Sequence, residues 1–203
     1  PANFQLDKGL SDFDIRNRWV TSLVYELPFG KGKPFLSGVG KAGQLIVGGW
    51  QINTIASRQS GVNRSVTSPN GTTLAFVTQR ANATGLEPFS SFNGITPRED
   101  FGGSNTGRYW FNPNAFSQTL PLKFGTSGRD IIGAPAWWNF DLSAFKNFAI
   151  TEGIQLQFRP EAFNGLNNVK FFPPDMNVAS PTFATLQSAD RPRVMQLGLR
   201  LTF

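Results

Sequence analysis

The clearest pattern along the chain is a strict alternation of apolar and polar residues at its C-terminal end. The odd positions from 195 to 203 carry Met, Leu, Leu, Leu and Phe, whereas the even positions from 196 to 202 carry Gln, Gly, Arg and Thr. A period of two is that of a β-strand with two different faces. An unbroken apolar face of this length matches the roughly 9–11 residues with which a tilted strand crosses a bilayer. The pattern therefore predicts a strand of an outer-membrane β-barrel.

Similar alternation recurs earlier in the chain and separates strands from connections. Strands are predicted at about 14–27, 44–59, 138–148, 153–164 and 193–203. Barrels in membranes have at least about eight strands, because an open edge in lipid leaves backbone groups unpaired. The predicted fold is therefore all-β, an antiparallel transmembrane β-barrel segment that forms about five C-terminal strands of a larger barrel. The absence of an N-terminal signal peptide also suggests part of a longer protein.

The connections alternate in length along the chain. Residues 67–137 and 165–192 lack periodicity and are predicted as long extracellular loops, whereas the connections at 29–43 and 149–152 are shorter. Outer-membrane barrels have short periplasmic turns and long outer loops, so this order predicts the orientation of the strands. Aromatic residues near the strand ends would then form two girdles: Trp137, Trp138 and Phe140 at the outer interface, and Tyr25, Phe29, Phe145 and Phe148 at the inner one.

Composition narrows the function classes. The chain has 203 residues, no Cys and no His, which excludes disulfides, a His-containing catalytic triad and the usual soft metal ligands. Its net charge of +6 is dispersed, so no basic stripe indicates nucleic-acid binding. The mean hydropathy of −0.22 suits a barrel, in which half of each strand faces a polar lumen. We expect no catalytic residue, no metal site, no cofactor and no nucleic-acid partner.

The polar sides of the predicted strands supply the candidate ligand-binding residues. These lumen-facing candidates are Asp141, Gln157, Arg159, Glu161 and Arg200. Asp141 and Glu161 would share one face of two adjacent strands, which also allows paired-carboxylate hydrolysis; a lumenal charge network is the favoured interpretation. The glycines of 38–43 match a dinucleotide fingerprint, but the strand-like residues 44–50 follow where a helix is needed. A flexible connection is therefore predicted there.

Several short motifs occur in an order that resembles one receptor family. They are Asp12-Phe-Asp-Ile-Arg-Asn-Arg-Trp-Val20, Tyr25-Glu-Leu-Pro-Phe-Gly-Lys-Gly32, Gly48-Gly-Trp-Gln-Ile52, Phe111-Asn-Pro-Asn-Ala-Phe116, Asn139-Phe-Asp-Leu-Ser-Ala-Phe-Lys-Asn-Phe148, Gln157-Phe-Arg-Pro-Glu-Ala-Phe-Asn164 and Leu199-Arg-Leu-Thr-Phe203. Nearly the whole chain is similar to the C-terminal barrel of TonB-dependent receptors, above all the Oar-like receptors with a carboxypeptidase-regulatory-like domain. The chain departs from the family pattern at Asn17, at Pro160 and across 165–170. Pro160 puts strand pairing in doubt because proline has no N–H.

This resemblance implies the activity and the partners. It implies energised uptake of a bulky solute across the bacterial outer membrane by a protein that is not an enzyme. The implied partners are an upstream plug, the remaining barrel strands, the TonB energy-transducing complex, outer-membrane lipid and the barrel assembly machinery, which would recognise the terminal aromatic Phe203 as an assembly signal.

Two other classes remain open from the sequence alone. A passive porin or structural outer-membrane protein would share the strands and loops but lack a plug. A soluble extracellular carbohydrate-binding β-sandwich would use loop Trp and Tyr side chains and would be a monodisperse monomer in plain buffer. The edge strands with apolar faces instead predict an insoluble or oligomeric chain without lipid.

Overall fold

A computed structural model describes residues 4–69, 79–93, 95–97, 109–121 and 123–203. The chain divides into two compact units. The first, the loop unit, comprises Pro1–Arg16, Ser60–Ala136 and Lys170–Asp190. The second, the sheet unit, comprises Asn17–Gln59, Trp137–Val169 and Arg191–Phe203. None of the helices in the described part of the chain is long and apolar enough to cross a membrane.

Most of the regular structure is β-strand. In chain order the elements are α1 (Phe4–Asp7), β1 (Arg18–Glu26), α2 (Lys41–Val47), β2 (Trp50–Gln59), β3 (Asn63–Arg64), β4 (Thr67–Ser68), β5 (Gln79–Arg80), β6 (Asn82–Ala83), a 3-10 turn (Pro113–Ala115), β7 (Phe116–Ser117), β8 (Ile132–Gly133), β9 (Trp137–Ala149), β10 (Gln155–Phe163) and β11 (Val194–Thr202). The five long strands form one sheet in the order β1-β2-β9-β10-β11, and each neighbouring pair is antiparallel. The predicted all-β antiparallel class is confirmed, and the sheet is open in this chain.

The register of the sheet gives it two chemically different faces. Direct partners share a face, and Tyr25 pairs with Ile52, which pairs with Ala144. On the other side of β9, Leu142 pairs with Ala162, which pairs with Met195. This apolar face carries Trp19, Leu23, Tyr25, Trp50, Ile52, Ala56, Trp138, Phe140, Leu142, Ala144, Phe148, Leu156, Phe158, Ala162, Met195, Leu197, Leu199 and Leu201, interrupted by Thr21, Thr54, Arg58, Lys146 and Pro160.

The opposite face is mainly polar. It carries Arg18, Ser22, Glu26, Gln51, Asn53, Ser57, Gln59, Asn139, Asp141, Ser143, Asn147, Gln155, Gln157, Arg159, Glu161, Gln196, Arg200 and Thr202, with a minority of apolar residues such as Ile55 and Phe145. Because side chains alternate across a strand, the two faces follow from the period-two pattern of each strand once the register aligns them. The predicted aromatic girdle is wrong at Trp137 and Phe145, whose parity places them on the polar face.

Pro160 changes the pairing of β10 on one side only. Its pairing with β11 is continuous, and Pro160 lies opposite Leu197. The ladder between β10 and β9 stops after Phe158 and resumes at Glu161. Proline cannot donate a backbone hydrogen bond, so a local gap in one ladder is the physical consequence of this residue in a central strand. The pairing defect expected from the sequence is therefore limited to Arg159 and Pro160.

The connection between β1 and β2 differs from its prediction. The sequence pattern predicts a strand from residue 44, but Lys41–Val47 is helical and β2 begins at Trp50. A short apolar run such as 45–47 fits a helix or a strand, and alternation alone does not separate them. Two side chains from the sheet favour the helix, since Trp50 Nε1 and Lys146 Nζ donate hydrogen bonds to the carbonyl of Ile46 at 2.9 and 3.2 Å.

The described parts of the two long connections pack together rather than forming irregular loops. Their buried hydrophobic cluster contains Val66, Ala81, Trp110, Phe111, Ala115, Phe116, Ile132, Ala184 and Leu186. The Phe111 ring makes edge-to-face contacts with Phe116 and Phe183, with ring centroids 5.7 and 5.3 Å apart. Short ladders join β3 to β8, β4 to β5 and β6 to β7. Residues from 67–137 and from 165–192 thus form one core, a result that the sequence pattern did not predict.

Candidate functional site

The polar face of β10 and β11 contains a charged cluster around Glu161. Arg159 Nη2 lies 3.0 Å from Glu161 Oε1, and Gln196 Nε2 donates a hydrogen bond to Glu161 Oε2. The guanidinium carbon of Arg159 lies 4.6 Å from the centre of the Phe145 ring, which is cation–π geometry. Both oxygens of Glu161 therefore have donors, and Arg159 is held between a carboxylate and an aromatic ring. The Arg159–Glu161 pair is therefore a fixed and charge-balanced feature of the polar face.

Asp141 shares the polar face but has different partners from Glu161. Its Oδ1 accepts hydrogen bonds from the side-chain amide of Asn139 and from the backbone N–H of Asn164, both at 2.9 Å. The second bond fixes the chain just after β10, where Asn164 has a φ of 50°. Asp141 and Glu161 thus accept hydrogen bonds from different donors. The structure brings Glu161 together with Arg159, and it places Asp141 within β9, where it contacts the residue that follows β10.

Gln157 and Arg200 form a third part of the polar face. They lie directly opposite each other on β10 and β11. Gln157 Nε2 donates to Asn147 Oδ1 on β9 at 2.9 Å, whereas the Arg200 side chain is exposed. An exposed guanidinium beside an ordered amide can bind a carboxylate or a hydroxyl of a solute by hydrogen bonds. The row from Asn147 to Arg200 is therefore the part of the sheet best suited to transient polar contacts.

Some partners in this network were not among the sequence candidates. Phe145, Asn147 and Gln196 each contact a candidate residue directly. The alternation along each strand is the signal that could have identified them. Phe145 and Asn147 lie on the same face of β9 as Asp141, and Gln196 lies on the same face of β11 as Arg200. Residues of matching parity on adjacent strands lie on one face, so the register is the missing information.

A separate carboxylate orders part of the loop unit. Burial raises the pKa of Asp175, but hydrogen bonds from Ser180, from the N–H of Asn177 and from Thr182 outweigh that effect and leave the pKa below its ordinary value. Thr182 Oγ1 donates to Asp175 Oδ2 at 2.7 Å, and the Asn177 N–H donates to Oδ1 at 2.9 Å. Asp175 is therefore ionised near neutral pH and holds the turn that leads to the buried Ala184.

Comparison with known proteins identifies the architecture. No curated protein and no solved structure matches the chain significantly. A family model described as an outer membrane beta barrel domain matches residues 1–196. The match spans both units and agrees with the two-faced antiparallel sheet, so the apolar face is the lipid side and the polar face is the lumen side. The chain belongs to the outer membrane beta-barrel domain family and is a bacterial outer-membrane protein.

Proposed function

We propose that the chain is part of a TonB-dependent receptor and that it takes part in energised uptake of a bulky solute. The register of the sheet carries the transport part of this proposal, because the strands whose apolar face meets lipid have a charged and amide-bearing surface on the opposite face. The resemblance of the ordered sequence motifs to TonB-dependent receptors supports the finer assignment. The compact loop unit supplies a stable surface that suits ligand capture.

The open edges of the sheet support a larger assembly. Within the described residues, β1 and β11 each pair with one neighbouring strand of the sheet. Unpaired N–H and C=O groups are costly in lipid, so each edge would pair with further strands of the same barrel. In this proposal the other partners are a plug, the TonB energy-transducing complex, outer-membrane lipid and the barrel assembly machinery. No enzymatic activity and no nucleic-acid partner are part of it.

The residues on the polar face of β10 and β11 give the proposal a residue-level form. In this proposal Arg200 and Gln157 contact the passing solute, and the Arg159–Glu161 pair keeps the local charge balanced. A passive porin is the competing class, and it differs in whether the lumen is plugged. Conductance of the purified full-length protein in planar bilayers separates the two classes directly. A plugged receptor conducts little current, whereas a porin opens steady channels.

Energy dependence is the second test. Uptake of candidate solutes is measured in cells that express the full-length protein, with and without an intact TonB complex. Uptake that is lost with the complex supports the proposal. Uptake that continues without the complex, together with steady conductance, contradicts it in favour of a porin. An Arg200→Gln variant, compared with Lys123→Gln in the loop unit, tests whether the lumen residue affects transport.

A further inference from the structure

The segment between β1 and β2 combines positive charge with exposed apolar side chains. Residues 27–49 contain Lys31, Lys33 and Lys41 but no Asp or Glu. Lys33 pairs with Glu26 at 2.9 Å. Leu45 and Ile46 on α2 are exposed, with 71% of Ile46 accessible. Basic residues next to exposed apolar ones are typical of segments that lie in a membrane interface.

Lys146 attaches this segment to the lipid side of the sheet. It lies on the apolar face of β9, yet only 3% of its surface is accessible. Its Nζ donates to the carbonyls of Ile46 and Gly48, and it lies 4.9 and 5.0 Å from the ring centres of Trp50 and Phe148. The C-terminal end of α2 therefore covers a cation on the lipid-facing side of the barrel wall. An uncovered ammonium there would face the membrane.

Glycines allow this close contact between helix and sheet. Gly49 has a φ of +73°, and a Cβ there would meet the Asn147 carbonyl oxygen at 3.0 Å. A Cβ on Gly48 would overlap the Gln44 side chain. Only glycine fits both the left-handed backbone and the narrow space without displacement. The sequence Gly48-Gly49 thus allows α2 to lie close to the start of β2 and the C-terminal end of β9.

A cavity beside α2 has the chemistry of a lipid headgroup site. Its volume is about 600 Å³, and its lining includes Lys31, Ser37, Lys41, Gln44 and Leu45. Ammonium and hydroxyl groups donate hydrogen bonds to phosphate oxygens, and Leu45 provides an apolar edge for the start of an acyl chain. The cavity is lined in part by α2, whose C-terminal end lies against Lys146 on the lipid-facing side of the sheet, and this gives its occupant a source.

We propose that residues 27–49 form an interfacial membrane segment, in which Leu45 and Ile46 enter the lipid and Lys31 and Lys41 bind the phosphate of an anionic phospholipid headgroup. Membership in the outer-membrane family places the apolar face of the sheet in lipid. The charge of the segment is complementary to phosphate, and α2 continues the lipid-facing surface. This inference does not depend on how a solute crosses the barrel.

Spin labels test the depth of the helix. The chain has no cysteine, so single-cysteine variants of the full-length protein carry one label each. Ile46→Cys is compared with Leu199→Cys on the lipid face and Glu152→Cys in the β9–β10 turn, in vesicles of phosphatidylcholine and phosphatidylglycerol. We expect the label at position 46 to collide several-fold more with oxygen, relative to a water-soluble nickel complex, than the label at 152. Equal collision ratios at 46 and 152 overturn the proposal.

Lipid retention tests the headgroup site. The Lys31→Gln/Lys41→Gln variant is compared with Lys8→Gln/Lys123→Gln, which removes the same charge from the loop unit. Phosphatidylglycerol bound after detergent extraction is counted by mass spectrometry. We expect the first variant to lose most of the retained lipid and the second to keep it. Equal retention in the two variants, with both folded as judged by heat-modifiable migration, overturns the assignment of the cavity to a headgroup.

Discussion

The two units place the same kinds of apolar side chain in opposite environments. In the loop unit Phe111 and Ile132 are completely buried, as in a protein that folds in water. In the sheet unit, all of whose residues the structure describes, Leu199 is 72% accessible and the only buried residues are Gly30, Gly48 and Lys146. The loop unit therefore gains stability by excluding water from its own core, whereas the sheet unit requires lipid to cover its apolar face. The accessibility of the apolar side chains therefore indicates that the loop unit is stabilised in water and the sheet unit in lipid.

Truncation of the loop-unit core is expected to have the largest effect. Phe111→Ala removes a fully buried ring and its contacts with Phe116 and Phe183. Such truncations destabilise by about 3–5 kcal/mol. The measurement is amide hydrogen exchange of the loop unit in the full-length protein in micelles, with the exposed Phe124→Ala as control. Similar exchange in both variants would mean that the loops do not share a cooperative core.

A charge on the lipid face tests the sheet unit. Leu199→Lys near the middle of β11 is expected to destabilise the protein in lipid by about 2–4 kcal/mol, because an ammonium at the bilayer midplane is poorly solvated. Gln196→Lys on the same strand faces Glu161 on the lumen side and is expected to be tolerated. Urea unfolding in vesicles measures both. If the two substitutions lower the free energy of unfolding equally, the assignment of the lipid and lumen sides is wrong.

The buried lysine of the sheet unit should have a smaller and more local effect. Lys146→Met keeps the volume of the side chain but leaves the Gly48 carbonyl without its donor. Loss of one partner of a buried hydrogen bond costs about 1–3 kcal/mol. We expect faster amide exchange at 41–48 and unchanged exchange in the loop unit. Lys33→Met removes an exposed ion pair and should cost about 0–1 kcal/mol, so equal exchange in these two variants would contradict the covering role of Lys146.

Acid should weaken the loop unit, and this is the smallest of the expected effects. The pKa of Asp175 is below its ordinary value of 3.8 in the folded state. Its ionised form therefore stabilises the fold above the pKa of the unfolded chain, and that contribution is lost as the pH falls through the folded pKa. Thermal unfolding of the loop unit from about pH 6 to about pH 2, across the titration of carboxyl groups, measures the loss. Asp175→Asn should reduce the loss of thermal stability of the loop unit at low pH. If this loss is unchanged in the variant, other carboxyl groups cause the pH dependence.

Alternation made the sheet predictable and left the loop unit unpredictable. Each strand's period of two specifies which residues share a face, and Arg159, Glu161 and Arg200 lie on the predicted polar face because of it. The partners of those residues depend on register between strands, so the separate environments of Asp141 and Glu161 were not predictable. The core around Phe111 joins residues far apart in sequence, as the contact of Phe111 with Phe183 shows, and no local period encodes such contacts.

The helix at 41–47 shows a different limit. Its apolar run allows a strand or a helix, and the contacts made in the helical form include a hydrogen bond from the distant Lys146 to the Ile46 carbonyl. The chain separation between donor and acceptor is 100 residues. Local propensity does not contain that information. Lys146 lies two positions after Ala144 and two positions before Phe148, so the alternation places this lysine on the apolar face. Its position was therefore a signal of an unusual contact there.

The shared register also limits how this chain can change in length during evolution. Insertion of a single residue within β9 or β10 would transfer every later side chain of that strand to the opposite face. Glu161 and its polar neighbours would then enter lipid while apolar residues of the same strand entered the lumen. Insertions in the connections leave the parity of the strands intact. Descendants of this sequence should therefore vary in loop length while the lengths of their strands change only by even numbers of residues.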